Sequence, residues 1–295
     1  MSTWKIACVQ MDCQLGDTEV NLQTILNGFQ EATRNGARLV VFPECAVTGY
    51  AFESKEEAWA IAEAVPGPTT EAIIEACRAA DAYVIVGTLE QEEATNDLFN
   101  VAVLIGPEGV IHVYRKLHLP YLGVDRFTRP GNIPFAVQDI GGLRVGMTIC
   151  YDGSFPEAAR SLMLQGADLV ALPTNYPTGA KITVQTFATA RALENQVYYA
   201  CCNRIGHERG FDFIGMSRII SPRAEYLACT EEDQPTILYA EIDPTIARNK
   251  LVAKIPGIYE LHRTAHRRPE MYGMLIEPAK EKFTPSIPPE EVEAK

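Results

Sequence analysis

The sequence lacks any Cys-x-x-Cys pair, although it holds eight cysteines: Cys8, Cys13, Cys45, Cys77, Cys150, Cys201, Cys202 and Cys229. Without such a pair the usual spacing for structural zinc is missing. The cysteine spacings also show no secreted disulfide framework in a chain of 295 residues. His112, His118, His207, His262 and His266 read as structural or surface residues, and no metal is expected. No compact Lys/Arg cluster offsets the formal net charge of -12. Nucleic acid and anionic membranes are therefore not expected partners, because their phosphates would go unneutralised. No apolar run approaches bilayer length. The opening Met1-Ser2-Thr3-Trp4-Lys5 leads into a strand pattern instead of a basic-then-apolar signal. A reducing cytoplasm is the expected location. There is no internal repeat, low-complexity tract or Pro/Gly/Ser linker that would divide the chain.

What the chain does contain is enough apolar sequence, 47%, for a sizeable core. Residues 6–9 and 39–42 read as short buried strands. Between them lies a helix with apolar positions Leu22, Ile25, Leu26, Phe29 and Ala32, capped by Asp17 or Thr18 and ended by Asn35-Gly36. Thr69 or Thr70 is expected to cap a helix running to Ala80. Two hairpins follow: residues 99–105 with 111–116 around Gly106-Pro107-Glu108-Gly109, and 135–140 with 143–149 around Gly141-Gly142. Helices at 158–165 and 181–196 alternate with strands at 167–172 and 197–203. Later strands fall at 218–220 and 237–242. Beyond about Ile255 the periodicity fades into a tail. Hairpins mixed with alternating helices point to mixed or antiparallel sheets covered by helices, as in a layered α-β-β-α arrangement.

Three apolar strands end on chemically capable residues. Leu39-Val40-Val41-Phe42-Pro43 delivers Glu44. Taken alone, such a glutamate is usually a solvated loop residue. Val113-Tyr114-Arg115 delivers Lys116, with Arg115 and His118 equally good candidates from the residues alone. Residues 143–149 deliver Cys150, which by itself could be one more buried thiol. A turn-forming Asp152-Gly153-Ser154 and a helix starting near Phe155-Pro156-Glu157 follow it. A helix N-terminus aimed at the sulfur would favour thiolate.

Together, Phe42-Pro43-Glu44, Tyr114-Arg115-Lys116 and Ile149-Cys150-Tyr151-Asp152 resemble the Glu, Lys and Cys runs of the nitrilase superfamily of carbon–nitrogen hydrolases, in the same order and at similar separations. The resemblance implies an α/β fold, a four-layer α-β-β-α sandwich. It implies a single domain over residues 1–262 and an extended tail over 263–295 packing on a partner subunit in a homodimer or higher homo-oligomer. It assigns Cys150 as nucleophile, Glu44 as general base and Lys116 as oxyanion stabiliser, with no cofactor. The family often carries a second glutamate after the lysine. Residues 120–127 contain none, and Asp125 is the nearest carboxylate. Tyr151, Asn175 and Tyr176 are candidate substrate contacts. The implied reaction converts a small amide to a carboxylic acid and ammonia. True nitrilases of the superfamily usually carry Trp-Glu after the cysteine; Tyr151-Asp152 resembles the amidase and carbamoylase branches. N-carbamoyl amidohydrolase and true nitrilase remain the rival hydrolases. A soluble acyltransferase and a non-catalytic scaffold are the alternatives outside hydrolysis.

Overall fold

A computed structural model describes residues 3–286. Its elements run β1 (Trp4–Gln10), α1 (Thr18–Arg34), β2 (Leu39–Val41), α2 (Lys55–Trp59), α3 (Pro68–Ala80), β3 (Tyr83–Glu92), β4 (Asp97–Gly106) and β5 (Gly109–Arg115). They continue with β6 (Val137–Asp139), β7 (Arg144–Met147), α4 (Pro156–Leu164), β8 (Leu169–Thr174), α5 (Lys181–Asn195), β9 (Tyr198–Asn203), β10 (Ile205–Glu208) and β11 (Phe211–Ile214). Then come β12 (Arg218–Ile220), β13 (Tyr226–Cys229), β14 (Thr236–Ile242), α6 (Pro244–Arg248), β15 (Leu251–Ile255) and β16 (Tyr259–His262).

Two six-stranded sheets carry the fold, ordered β14-β1-β2-β3-β4-β5 and β13-β12-β9-β8-β7-β6. Each has three parallel central strands: β1, β2 and β3 in one, β7, β8 and β9 in the other. Antiparallel strands flank both triplets. Side chains alternate across each pleat, and the alternation sorts the first sheet's residues. Ile6, Cys8, Leu39, Val41 and Ile85 share one buried cluster with Met147, Ala171, Tyr199 and Ile219 of the second sheet. Their neighbours Ala7, Val40, Val84 and Val86 face the opposite way, onto Ile25, Phe29, Ile73 and Cys77 of α1 and α3. Leu162 of α4 and Val184 and Ala188 of α5 cover the second sheet. The result is a four-layer α-β-β-α sandwich. Each fully buried aliphatic side chain in these layers contributes roughly 1.5–3 kcal/mol.

Local chemistry accounts for the element ends. The Asp17 carboxylate accepts from the Val20 N–H at 3.1 Å and starts α1. The start of α3 differs from the sequence expectation. Gly67 is the cap and Pro68 the first helical residue, while the Thr70 hydroxyl accepts from the Gly67 N–H at 2.8 Å. Proline's fixed φ favours that first position. Short strands such as β10 and β11 escape a sequence reading because each has only four residues and no apolar run.

By contacts the chain divides into Met1–Lys250 and Leu251–Lys295. Residues 251–262, which the family resemblance assigns to the main domain, pair with each other as the β15–β16 hairpin. Two 3-10 turns, Pro269–Met271 and Gly273–Ile276, follow in the second unit. The remainder of the expected tail, 287–295, lies outside the described residues. Among the described residues no helix is long and apolar enough to cross a membrane.

The fold gathers strand ends at one edge. β5 runs parallel to β3, since both are antiparallel to β4. The carboxyl ends of β2, β3 and β5 therefore lie on the same side of the first sheet. Gly87 of β3 lets the chain beyond β2 pass close. A Cβ there would lie 2.5 Å from the Cys45 N and Pro43 O and 2.6 Å from the Glu44 Cα. All three are backbone atoms, so Gly87→Ala must push residues 43–45 aside. We expect it to cost about 1–3 kcal/mol of stability, read as a lowered denaturation midpoint. An unchanged midpoint would show that this close approach is not a constraint.

Candidate active site

Glu44 stands three residues beyond the end of β2 and is completely buried. Lys116 follows β5 directly. Its N–H donates to the Asn100 carbonyl at 2.9 Å and its own carbonyl accepts from Gly131 at 2.8 Å, so the backbone is held on both sides. The Lys116 Nζ donates to Glu44 Oε1 at 2.7 Å and to Asp125 Oδ2 at 2.5 Å. Asp125 sits in the 3-10 turn Gly123–Arg126 and is buried. The loop carboxylate singled out in the sequence thus joins Glu44 and Lys116 in one array.

Asn100 of β4 organises the two carboxylates. Its Nδ2 donates to Glu44 Oε1 at 2.7 Å and to Asp125 Oδ1 at 2.9 Å, while its Oδ1 accepts from the Cys45 thiol at 3.7 Å. Tyr50 donates its hydroxyl to Asp125 Oδ2 at 2.8 Å. Tyr50 is held in turn by Glu208, whose Oε2 accepts from the Tyr50 and Ala51 N–H groups at 2.9 Å each. The buried Arg204 guanidinium pairs with that glutamate at 2.5 Å. Asn100 and Tyr50 were not singled out in the sequence. The signal for Asn100 is a polar residue at a fully buried strand position between Phe99 and Val101.

One ammonium faces two carboxylates, and all three side chains are buried. Burial raises the Glu44 pKa above its usual value of 4.5; the Lys116 charge opposes that rise and the Asp125 charge adds to it. For Lys116 burial pulls downward, but Asp125 and Glu44 outweigh it and hold the amine charged. Glu44 Oε2 makes no hydrogen bond. It is the free lone pair of the array.

Cys150 begins a 3-10 turn, Cys150–Ser154, that comes before α4. Its φ is +42°, a left-handed conformation uncommon outside glycine and typical of strained functional turns. The side chain is 8% exposed. Burial raises its pKa and the Glu44 charge raises it further, while the Lys116 ammonium, the Thr174 hydroxyl and the Asn175 backbone N–H pull it down. The balance leaves a neutral thiol. From the sequence, thiolate is favoured only if a helix N-terminus aims at the sulfur. The intervening 3-10 turn separates the sulfur's residue from the start of α4, and desolvation outweighs the favourable dipoles.

The remaining sequence candidates divide. The Tyr176 hydroxyl donates to the Cys150 carbonyl at 3.0 Å, so it is committed to holding the strained turn. Asn175 is 1% exposed, yet among the described residues neither its Oδ1 nor its Nδ2 finds a partner. Tyr151 is 39% exposed and meets Phe155 edge-on at 5.2 Å. His118 does more than occupy surface: its Nδ1 lies 2.7 Å from Asp152 Oδ1 and its ring stacks on Phe155 at 3.7 Å. Among the described residues no group of three or more His, Cys, Asp or Glu side chains is arranged to hold a metal.

A buried base with a raised pKa has a signature. Glu44 accepts a proton only as carboxylate, and that form is lost as pH falls through its folded pKa. The acid limb of kcat/KM is expected to have its midpoint above 4.5. A midpoint at or below 4.5 would mean that desolvation does not dominate at Glu44.

Comparison with known proteins places this geometry. A protein named nitrilase from Pyrococcus abyssi is 40% identical over 91% of this chain and 98% of its own length. The omega-amidase of Bos taurus is 31% identical over 82% of this chain and 90% of its own. A cysteine-to-alanine variant of the amidase from Nesterenkonia sp. AN1, solved in complex with butyramide, superposes with a TM-score of 0.71. It is 25% identical and covers 83% of this chain and 93% of that one. The carbon–nitrogen hydrolase family model matches residues 5–250. With Glu, Lys and Cys at three converging strand ends of an α-β-β-α sandwich, the chain belongs to the carbon–nitrogen hydrolase family of the nitrilase superfamily, enzymes that cleave carbon–nitrogen bonds other than peptide bonds.

Proposed function

We propose that this protein hydrolyses a small amide to a carboxylic acid and ammonia through a thioester on Cys150. The observation that supports it best is the buried array in which Lys116 bridges Glu44 and Asp125 while Glu44 Oε2 stays unpaired. In this reading Glu44 takes the thiol proton as sulfur attacks the amide carbon. That order suits a thiol whose pKa is raised, because the nucleophile is generated only as substrate arrives. Negative charge then develops on the carbonyl oxygen. Two of the three Lys116 ammonium protons are committed to Glu44 and Asp125, which leaves one for the oxyanion, alongside the Tyr151 backbone N–H. Glu44 returns its proton to the nitrogen, ammonia leaves, and the same carboxylate activates the water that releases the acid.

Asp125 in this scheme holds Lys116 in place. Tyr176 holds the turn, and the unpartnered Asn175 carboxamide is the substrate contact, since a buried amide without partners costs about 1–3 kcal/mol until a ligand satisfies it. Tyr151 stands at the rim. Butyramide in the Nesterenkonia amidase supports a short aliphatic amide as the substrate type. We also propose a homo-oligomer, with residues 251–286 offering partner contacts. Exposed Ile255, Ile258, Met274 and Ile276 support that proposal. Nitrile hydrolysis is the second reading, favoured by the name of the Pyrococcus relative.

The test is product analysis with matched amide, nitrile and N-carbamoyl substrates of the same acyl group, with Cys150→Ala as the blank. Acid and ammonia from the amide, absent in the blank, are expected. A Lys116→Met enzyme should lose about a hundredfold or more in kcat. Conversion of the nitrile alone would overturn the amidase reading. Turnover that persists in Cys150→Ala would overturn the mechanism.

A further inference from the structure

Lys116 and Cys150 must act on the same carbonyl group, yet they come from different sheets. Lys116 directly follows β5 at the edge of the first sheet, and Cys150 follows β7 in the second. No backbone ladder joins those two strands. A side-chain link does. Asp152 is completely buried, and both of its oxygens are occupied twice. Oδ2 accepts from the Tyr114 hydroxyl at 2.7 Å and from the Ile149 N–H at 2.9 Å. Oδ1 accepts from the His118 N–H at 3.0 Å and lies 2.7 Å from His118 Nδ1. The first and third of these partners bracket Lys116 at positions 114 and 118. The second ties the carboxylate to the residue just before Cys150. Tyr114 is also tightly placed, buried in the interior cluster with its ring stacked on Phe135 at 5.5 Å. The His118 ring lies on Phe155, one residue beyond the Cys150 turn. On the other side of the turn, Arg191 donates to the Gly153 carbonyl at 3.1 Å and the Ser154 carbonyl at 3.0 Å.

We infer that Asp152 is a positioning residue for catalysis: with Tyr114 and His118 it clamps the oxyanion-binding lysine to the nucleophile turn and sets the distance between them. The inference rests on the proposed roles of Cys150 and Lys116. Asp152 has no free lone pair turned to substrate, so it acts through the segments it joins. A carboxylate suits the position because four donors converge on it, and only an acceptor-only group satisfies all of them. Tyr114 lies in β5 and Lys116 just beyond its end, two residues along, so a shift at one is carried to the other.

The experiment compares wild type with Asp152→Asn, Tyr114→Phe, His118→Phe and His118→Asn. It uses the full chain and an amide that the wild type hydrolyses. Three quantities are read: kcat and KM, the rate at which iodoacetamide alkylates Cys150 by intact mass, and the thermal midpoint. Alkylation needs the thiol but forms no oxyanion, so it separates damage to the nucleophile from loss of alignment with Lys116. For Asp152→Asn we expect kcat to fall about a hundredfold, the scale of an ångström-sized misplacement, with KM changed about twofold or less. Tyr114→Phe and His118→Phe, each losing one bond, should lose about tenfold in kcat, with Cys150 alkylation within about threefold of wild type. His118→Asn can place an amide N–H near the Nδ1 position, and it should retain a higher kcat than His118→Phe. If Asp152→Asn does not fold, the two single-bond variants decide. A kcat within twofold of wild type in both, whatever their thermal midpoints, overturns the clamp and leaves Asp152 a purely structural bond. Losses in kcat matched by equal losses in alkylation also overturn it, because the nucleophile alone is then affected. A wild-type enzyme inert on every amide and nitrile refutes the hydrolase reading instead, so the two failures are told apart.

Discussion

The structure of the site depends on one buried ammonium held between two buried carboxylates. Lys116 satisfies Glu44 and Asp125 at the same time, and each carboxylate helps keep it charged. Removing the ammonium from such a buried array would leave two carboxylates uncompensated, a loss of about 3–5 kcal/mol. As a contribution to stability the array is a poor arrangement, since desolvating three ions is costly. As chemistry it is useful. Burial, with the Asp125 charge adding to it, raises the proton affinity of Glu44, and burial also raises the pKa of the Cys150 thiol.

Much of the surrounding structure keeps this array and the cysteine in register. Asn100 holds the two carboxylates from the neighbouring strand. Tyr50 holds Asp125, and the Arg204–Glu208 pair holds the backbone of Tyr50. The absence of a side chain at Gly87 admits the Glu44 backbone. Tyr176 fixes the strained carbonyl of Cys150. These supports come from both sheets, and a face-to-face sandwich with parallel central strands is an economical way to bring their ends together.

The strands that deliver Glu44, Lys116 and Cys150 were legible in the sequence because each is an apolar run with an abrupt polar end. The two hairpins were legible from glycine-rich turns, and α1 from its apolar spacing and Asp17. Asp125 could be named as a candidate but not placed, since only the folded 3-10 turn sets its distance from Lys116. Asn100 and Tyr50 were illegible as site residues. Their partners lie 56 and 75 positions away in the chain, and no local pattern reports such a separation. His118 read as structural or surface, but its partner could not be named because Asp152 read as a turn residue. The start of α3 moved to Gly67 because Pro68 fits the first helical turn better than either threonine fits the cap. The 3-10 geometry at Cys150 depends on Asp152 bonding back to Ile149, a contact that a strand-then-helix reading passes over.

The central claim is that a thioester on Cys150 is the common intermediate. It is tested most directly by partitioning. An amide, an ester and a hydrazide with the same acyl group are each turned over in the presence of a fixed concentration of hydroxylamine, and the ratio of hydroxamate to acid is measured. If all three pass through one acyl-enzyme, the leaving group has departed before water and hydroxylamine compete. The ratio should then be the same for all three substrates. A ratio that changes with the leaving group would contradict a shared acyl-enzyme and with it this account of the site.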